Sequence, residues 1–76
     1  SDTKQLKIHL NNQFQEVKKE LTTLANKVTD KVVQIKLNEA IKLIKPIGPS
    51  ESVKDEALVG LLEYQQLVDE LKVMHP

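Results

Sequence analysis

Residues 28–45 read VTDKVVQIKLNEAIKLIK and carry two apolar stripes on opposite sides of one helical pattern. The first stripe continues from the preceding segment at spacings of three and four residues, and its members are Leu10, Phe14, Val17, Leu21, Leu24, Val28, Val32 and Ile35. The second stripe consists of Val33, Leu37, Ala40, Ile41 and Ile44. At about 100° per residue the two stripes point in roughly opposite directions. A helix that is apolar on two sides is buried between neighbours, so the stretch predicts an all-α chain.

The segment from Asn26 to Asp30 decides whether residues 3–45 form one helix or two. Its residues have poor helix propensity, and Thr29 or Asp30 can cap a new helix. A turn here gives three helices of comparable length, whereas an unbroken helix exposes its N-terminal apolar residues unless a second chain covers them. We predict a small antiparallel three-helix bundle. The alternative is a long–short helical hairpin that dimerises into a four-helix or coiled-coil assembly.

Proline and glycine mark the second boundary. The sequence KPIGPS at 45–50 cannot continue a helix, because each Pro lacks an N–H and clashes with the preceding turn. We expect Ser50 or Ser52 to cap the last helix and Asp2 to cap the first. Three acidic residues suit the first turn of the last helix, namely Glu51, Asp55 and Glu56. The sequence therefore predicts helices over about 3–26, 29–45 and 51–74, joined by a Pro/Gly linker at 46–50.

Length and composition limit what the chain can be. Its 76 residues form one domain, 1–76, near the lower size at which a core is stable without staples. There is no Cys, so neither a disulfide nor a Cys-based zinc site can supplement that core. No apolar run is long enough to span a membrane. We expect a fragment of a larger protein, located in the cytoplasm or alternatively in the nucleus.

Charge is distributed unevenly between the two parts of the chain. Residues 1–45 contain nine Lys and five acidic residues, a net charge of +4. Residues 46–76 contain two Lys and six acidic residues, a net charge of −4. We expect the two parts to attract each other when the chain folds back on itself. Binding of the basic part to an acidic partner is the alternative.

Catalytic, cofactor and nucleic-acid functions find little support in the residue types present. His9 and His75 have no His or carboxylate partner at helical ligand spacing, and no glycine-rich phosphate loop exists. We therefore predict no enzyme activity, no cofactor and no metal site. The chain also has no Arg and only two aromatic residues, Phe14 and Tyr64, so we expect no nucleic-acid partner.

The last predicted helix is apolar on more than one side. Its broad face comprises Val53, Ala57, Leu61, Tyr64, Leu67, Val68, Leu71 and Met74. Four aliphatic residues fall outside that face, and they are Leu58, Val59, Leu62 and Val73. Gly60 lowers helix stability, and we expect it to mark the close approach of another helix. Together with the second stripe of the middle helix, this pattern predicts a protein-binding surface made of Val33, Leu37, Ile41, Ile44, Leu58 and Leu62. In a three-helix bundle we expect part of this set to become core, so that at most half of it remains for binding.

Two short patterns suggest more specific docking modes. The sequence LVGLL at 58–62 fits Leu-x-x-Leu-Leu, a helical motif that docks in grooves. The segments DEALV at 55–59 and LVDEL at 67–71, after a Pro/Gly break, distantly resemble the third helix of BAG co-chaperone domains. The resemblance implies a three-helix co-chaperone that contacts the Hsp70 nucleotide-binding domain. That family carries basic residues where this chain has Asp55 and Glu56, so we do not assign it there.

The functional prediction is a non-catalytic interaction or assembly module, such as a scaffold or adaptor, that binds a partner protein or itself through apolar helix faces. One alternative is a BAG-like co-chaperone or another small regulatory or inhibitory helical protein. The other is a peripheral membrane binder using the basic amphipathic segment 3–21, where Glu16 and Glu20 weaken the positive face. We expect a protein partner and no membrane partner.

Overall fold

The computed structural model describes all 76 residues and contains three helices and no strand. The helices are α1 (Asp2–Ala25), α2 (Lys31–Leu43) and α3 (Asp55–Met74). Both α2 and α3 pack against α1. The predicted all-α class and the small three-helix bundle are therefore confirmed, and residues 3–45 form two helices.

The break between α1 and α2 is held by side chains on either side of it. The Asp30 carboxylate caps α2, since its Oδ1 accepts hydrogen bonds from the backbone N–H groups of Val32 (3.0 Å) and Val33 (3.2 Å). Gln34 Nε2 reaches back and donates to the carbonyls of Ala25 (3.3 Å) and Val28 (3.4 Å). The Asp30 carboxylate thus pairs two N–H groups that the start of α2 leaves without helical partners, and the Gln34 side chain ties α2 to the turn. Of the two predicted caps for α2, Asp30 is the one used.

Residues 44–49 form an extended strap that runs back along α1. Three donors on α1 bond to its carbonyls: Lys18 Nζ to Ile44 (3.4 Å), Asn11 Nδ2 to Ile47 (3.0 Å) and Lys7 Nζ to Pro49 (3.0 Å). The Asn11 amide pairs twice, because its Oδ1 also accepts from the N–H of Ile47 at 2.7 Å. The strap therefore ends beside the N-terminal part of α1. From there α3 runs parallel to α1, and α2 runs antiparallel to it.

One apolar core joins the three helices and the strap. Most of its buried residues come from α1, α2 and the segments that follow them, with two from α3; they are Leu10, Phe14, Val17, Leu21, Leu24, Ala25, Val28, Leu37, Ile41, Ile44, Ile47, Val68 and Leu71. Five half-buried residues pack against this core, and they are Val53, Ala57, Leu61, Tyr64 and Leu67. The predicted stripe of α1 and most of the predicted broad face of α3 thus form the core.

Three predicted helix starts and ends are wrong. Ser1 rather than Asp2 caps α1, accepting a hydrogen bond from the N–H of Lys4. The second helix ends at Leu43, because Lys45 precedes a proline and the chain leaves the helical conformation at Ile44. The last helix begins at Asp55 rather than near residue 51, and neither predicted serine caps it. The linker therefore covers 44–54 and contributes two core residues, Ile44 and Ile47.

The predicted orientation of α2 is also wrong in part. Val32 and Ile35, assigned to the core stripe, are mostly exposed, whereas Leu37 and Ile41 of the opposite stripe are buried. The reason is the turn at 26–30, which starts a new helix whose buried side is set by packing against α1. The stripe that begins on α1 therefore ends at Val28, in the turn that follows the helix. In α3, Met74 is exposed although the broad face was expected to include it.

Candidate functional site

The six residues predicted to bind a partner divide equally between the core and the surface. Leu37, Ile41 and Ile44 are buried inside the chain, so they offer no surface to a partner of the folded domain. The other three are exposed, namely Val33, Leu58 and Leu62. A binding role for these three stays a prediction.

The first exposed apolar surface is the α3 outer face, which we define as Leu58, Val59 and Leu62. Its exposed fractions are 37% for Leu58, 51% for Val59 and 71% for Leu62. The three residues lie within about 100° of one another around the helix, opposite the side that packs on α1. Val73 lies on the same side of α3, about three turns beyond Leu62, and is also exposed. Leu61 is half-buried against the core, so the folded domain does not present all three leucines of the Leu-x-x-Leu-Leu pattern together.

The second exposed apolar surface is the α2 outer face, which we define as Val32, Ile35 and Leu43. These side chains are 61%, 58% and 72% exposed, and they share one side of the helix. Sequence reasoning missed this face, because it assigned Val32 and Ile35 to the core and did not single out Leu43. The available signal was the Asp30 cap, which makes α2 an independent helix with its own buried side.

The two faces carry opposite charge. Lys31, Lys36 and Lys42 surround the α2 outer face, with Glu39 as the one acidic residue among them. Four acidic residues lie within or beside the α3 outer face, namely Asp55, Glu63, Asp69 and Glu70, and Lys72 at its other edge is paired with Glu20. All of these side chains belong to exposed residues.

This charge difference is not used inside the chain. The structure has one ion pair, in which Lys72 Nζ lies 2.8 Å from Glu20 Oε2. The hydrogen bond to Glu20, together with the charge of Glu20, raises the pKa of Lys72 above its ordinary value of 10.5. Glu20 belongs to residues 1–45, which are net positive, and Lys72 belongs to residues 46–76, which are net negative. The pair is therefore not the expected attraction between lysines of the first part and acids of the second. No Cα atom of α2 lies within 8 Å of a Cα atom of α3.

A groove of about 330 Å³ lies between the strap and the N-terminal half of α3. Phe14 lines it together with Ile47 from the strap, and Gly60 and Tyr64 from α3. An added Cβ at Gly60 would meet no atom within 4 Å. The expectation that Gly60 marks the close approach of another helix is therefore wrong within this chain.

The polar residues considered for chemistry do not converge on a site. No group of three or more His, Asp and Glu residues is placed to hold a metal ion. His9 is exposed, and His75 is half-buried at the end of α3. None of the three helices combines the length and the hydrophobicity needed to cross a membrane.

No protein-family model matches the chain, and neither a curated protein nor a solved structure matches it.

Proposed function

We propose that this chain is a non-catalytic protein-interaction module and that the α3 outer face is its contact surface. The observation that carries the proposal is the exposure of Leu58, Val59 and Leu62 on one side of a helix whose other side packs on α1. Aliphatic residues grouped on a surface and bordered by charged residues are typical of interaction sites. The acidic border would favour a partner with a basic rim.

The other candidate functions have weaker support. A BAG-like role would use Leu58 and Val59 as the aliphatic pair, but acidic residues precede that pair in this chain. A membrane-surface role would need one apolar face near the start of α1. The exposed residues there, Leu6 and Ile8, point to different sides of the helix because they are two residues apart.

A photo-crosslinking experiment tests the proposed function. A photoreactive amino acid replaces Val59 in the protein expressed in cells of its source, and a matched variant carries it at Asn12, an exposed position on α1. We expect a discrete crosslinked species from position 59 and none from position 12. The absence of any specific species from position 59 would contradict the proposal.

A charge substitution then tests whether the same face makes the contact. Leu62→Glu places a charge in the centre of the face, and it should abolish the crosslink from position 59 while leaving the helical circular dichroism unchanged. Gln15→Glu on α1 adds the same charge at another exposed position, and it should leave the crosslink intact. A crosslink that survives Leu62→Glu would show that the α3 outer face is not the contact surface.

A further inference from the structure

We propose that the partner of the α3 outer face is the α2 outer face of a second copy of this chain. The inference rests on the proposed function, because it names the partner of the same surface. It assigns a role to both exposed apolar faces and to the separation of charge between them. Each copy offers one face of each kind, so the contact can be made by identical chains.

Both outer faces expose apolar side chains to water. Val32, Ile35 and Leu43 are each more than half exposed, as are Val59 and Leu62 on α3. From Val32 to Leu43 the α2 outer face is about 16 Å long at 1.5 Å per residue, and from Leu58 to Val73 the apolar side of α3 is about 22 Å long. The side of α3 is therefore long enough to receive the whole face of α2. Pairing would remove both apolar faces from water.

The charges beside the two faces favour contact between α2 of one copy and α3 of another. Lysines border the α2 outer face and carboxylates border the α3 outer face. Pairing α2 with α2 would place lysines against lysines, and pairing α3 with α3 would place carboxylates against carboxylates; both arrangements are repulsive. Pairing α2 with α3 of a neighbouring copy places the three lysines of α2 against the carboxylates of α3, with Glu39 as the one like charge in the contact.

The α2 and α3 outer faces do not pair with each other inside one chain. The backbones of α2 and α3 do not come within 8 Å of each other at any Cα pair, and the one ion pair of the structure joins α1 to α3. The basic residues of α2 and the acidic residues of α3 thus remain available to another molecule. Because the contact joins two different faces, it continues to further copies unless the geometry closes it.

Sedimentation velocity on charge-reversed variants tests the inference. The first variant, Lys36→Glu with Lys42→Glu, makes the border of the α2 outer face acidic; the second, Glu63→Lys with Asp69→Lys and Glu70→Lys, makes the border of the α3 outer face basic. All five residues are exposed. At low salt we expect the mass of the native protein to rise with concentration above that of an 8.6 kDa monomer. Each variant alone should remain monomeric, with association at least about tenfold weaker.

Combining the variants gives the decisive result. An equimolar mixture should associate again, because every α2–α3 contact between unlike chains then joins opposite charges. A chain carrying all five substitutions should also associate with itself. The control, Lys4→Glu with Lys27→Glu, changes the net charge as the first variant does but lies outside both faces, and it should associate like the native protein.

The outcomes separate this inference from the proposed function. A native protein that stays monomeric at all concentrations, or association that neither variant weakens, overturns the inference. Loss of association that the mixture does not restore also overturns it. In each case a crosslink from position 59 to a different protein would leave the proposed function standing, whereas no crosslink at all would remove both. Circular dichroism melts establish that every variant is folded.

Discussion

Replacing Gly60 by alanine is expected to stabilise the domain. Gly60 lies in the interior of α3. A glycine there lowers helix stability by about 1 kcal/mol relative to alanine, because glycine loses more backbone conformational freedom on folding than alanine does. A new Cβ at this position meets nothing within 4 Å, so no packing penalty opposes the gain. For a domain of this size, a gain of about 1 kcal/mol corresponds to a rise in Tm of about 4–8 °C.

Gly48 provides the matched comparison. It also has a negative φ, so alanine fits its backbone conformation, but a Cβ there would lie 2.7 Å from the Glu51 carboxylate oxygen Oε1. The Glu51 side chain would have to move, and Gly48→Ala should therefore stabilise the domain less than Gly60→Ala. Urea unfolding followed by circular dichroism measures both changes in the free energy of unfolding. A Gly60→Ala protein that is no more stable than the native one would refute the argument, since it would mean that the space above Gly60 is occupied in the folded protein.

Three further changes test the core, the strap and the ion pair. Leu21→Ala should lower the free energy of unfolding by about 2–5 kcal/mol, because Leu21 is almost completely buried; a melting curve within a few degrees of the native one would contradict its place in the core. Asn11→Ala leaves two backbone groups of the strap unpaired and should cost about 1–3 kcal/mol in urea unfolding, whereas Asn12→Ala on the exposed side should cost little; equal effects would refute the role of Asn11. Lys72→Met should lower Tm slightly at neutral pH. The raised pKa of Lys72 means that the pair stabilises the fold fully below pH 10.5 and is lost as pH rises through the folded-state pKa, so the difference in Tm should vanish there; a difference that persists would contradict it.

The sequence predicted α1 well because its pattern is long and uninterrupted. Spacings of three and four residues from Leu10 to Val28 determine one buried side, and that side forms the centre of the core. Glycine and proline likewise predicted the second break, since their effect on helices is local. These features depend on residues close together in the sequence.

Features that depend on distant residues could not be predicted in the same way. Asn11 and Ile47 are 36 positions apart, and no local pattern indicates that an amide on α1 pairs with the strap. The buried side of α2 depends on how the chain turns at 26–30, so periodicity alone does not fix which of its two stripes faces α1. For the candidate site, this reversal buried the predicted residues Leu37 and Ile41 and placed Val32 and Ile35 on the surface.

The strap has a consequence for how the chain tolerates insertions. Its carbonyls at Ile44, Ile47 and Pro49 are bonded to side chains at fixed heights along α1, so one extra residue between them would put the following carbonyl out of reach of its donor. Residues 50–52 are exposed, and the one hydrogen bond there joins the Glu51 N–H to the Gly48 carbonyl. A flexible peptide or a fluorescent protein inserted after Ser52 should therefore leave the domain folded, whereas the same insertion after Lys45 should unfold it.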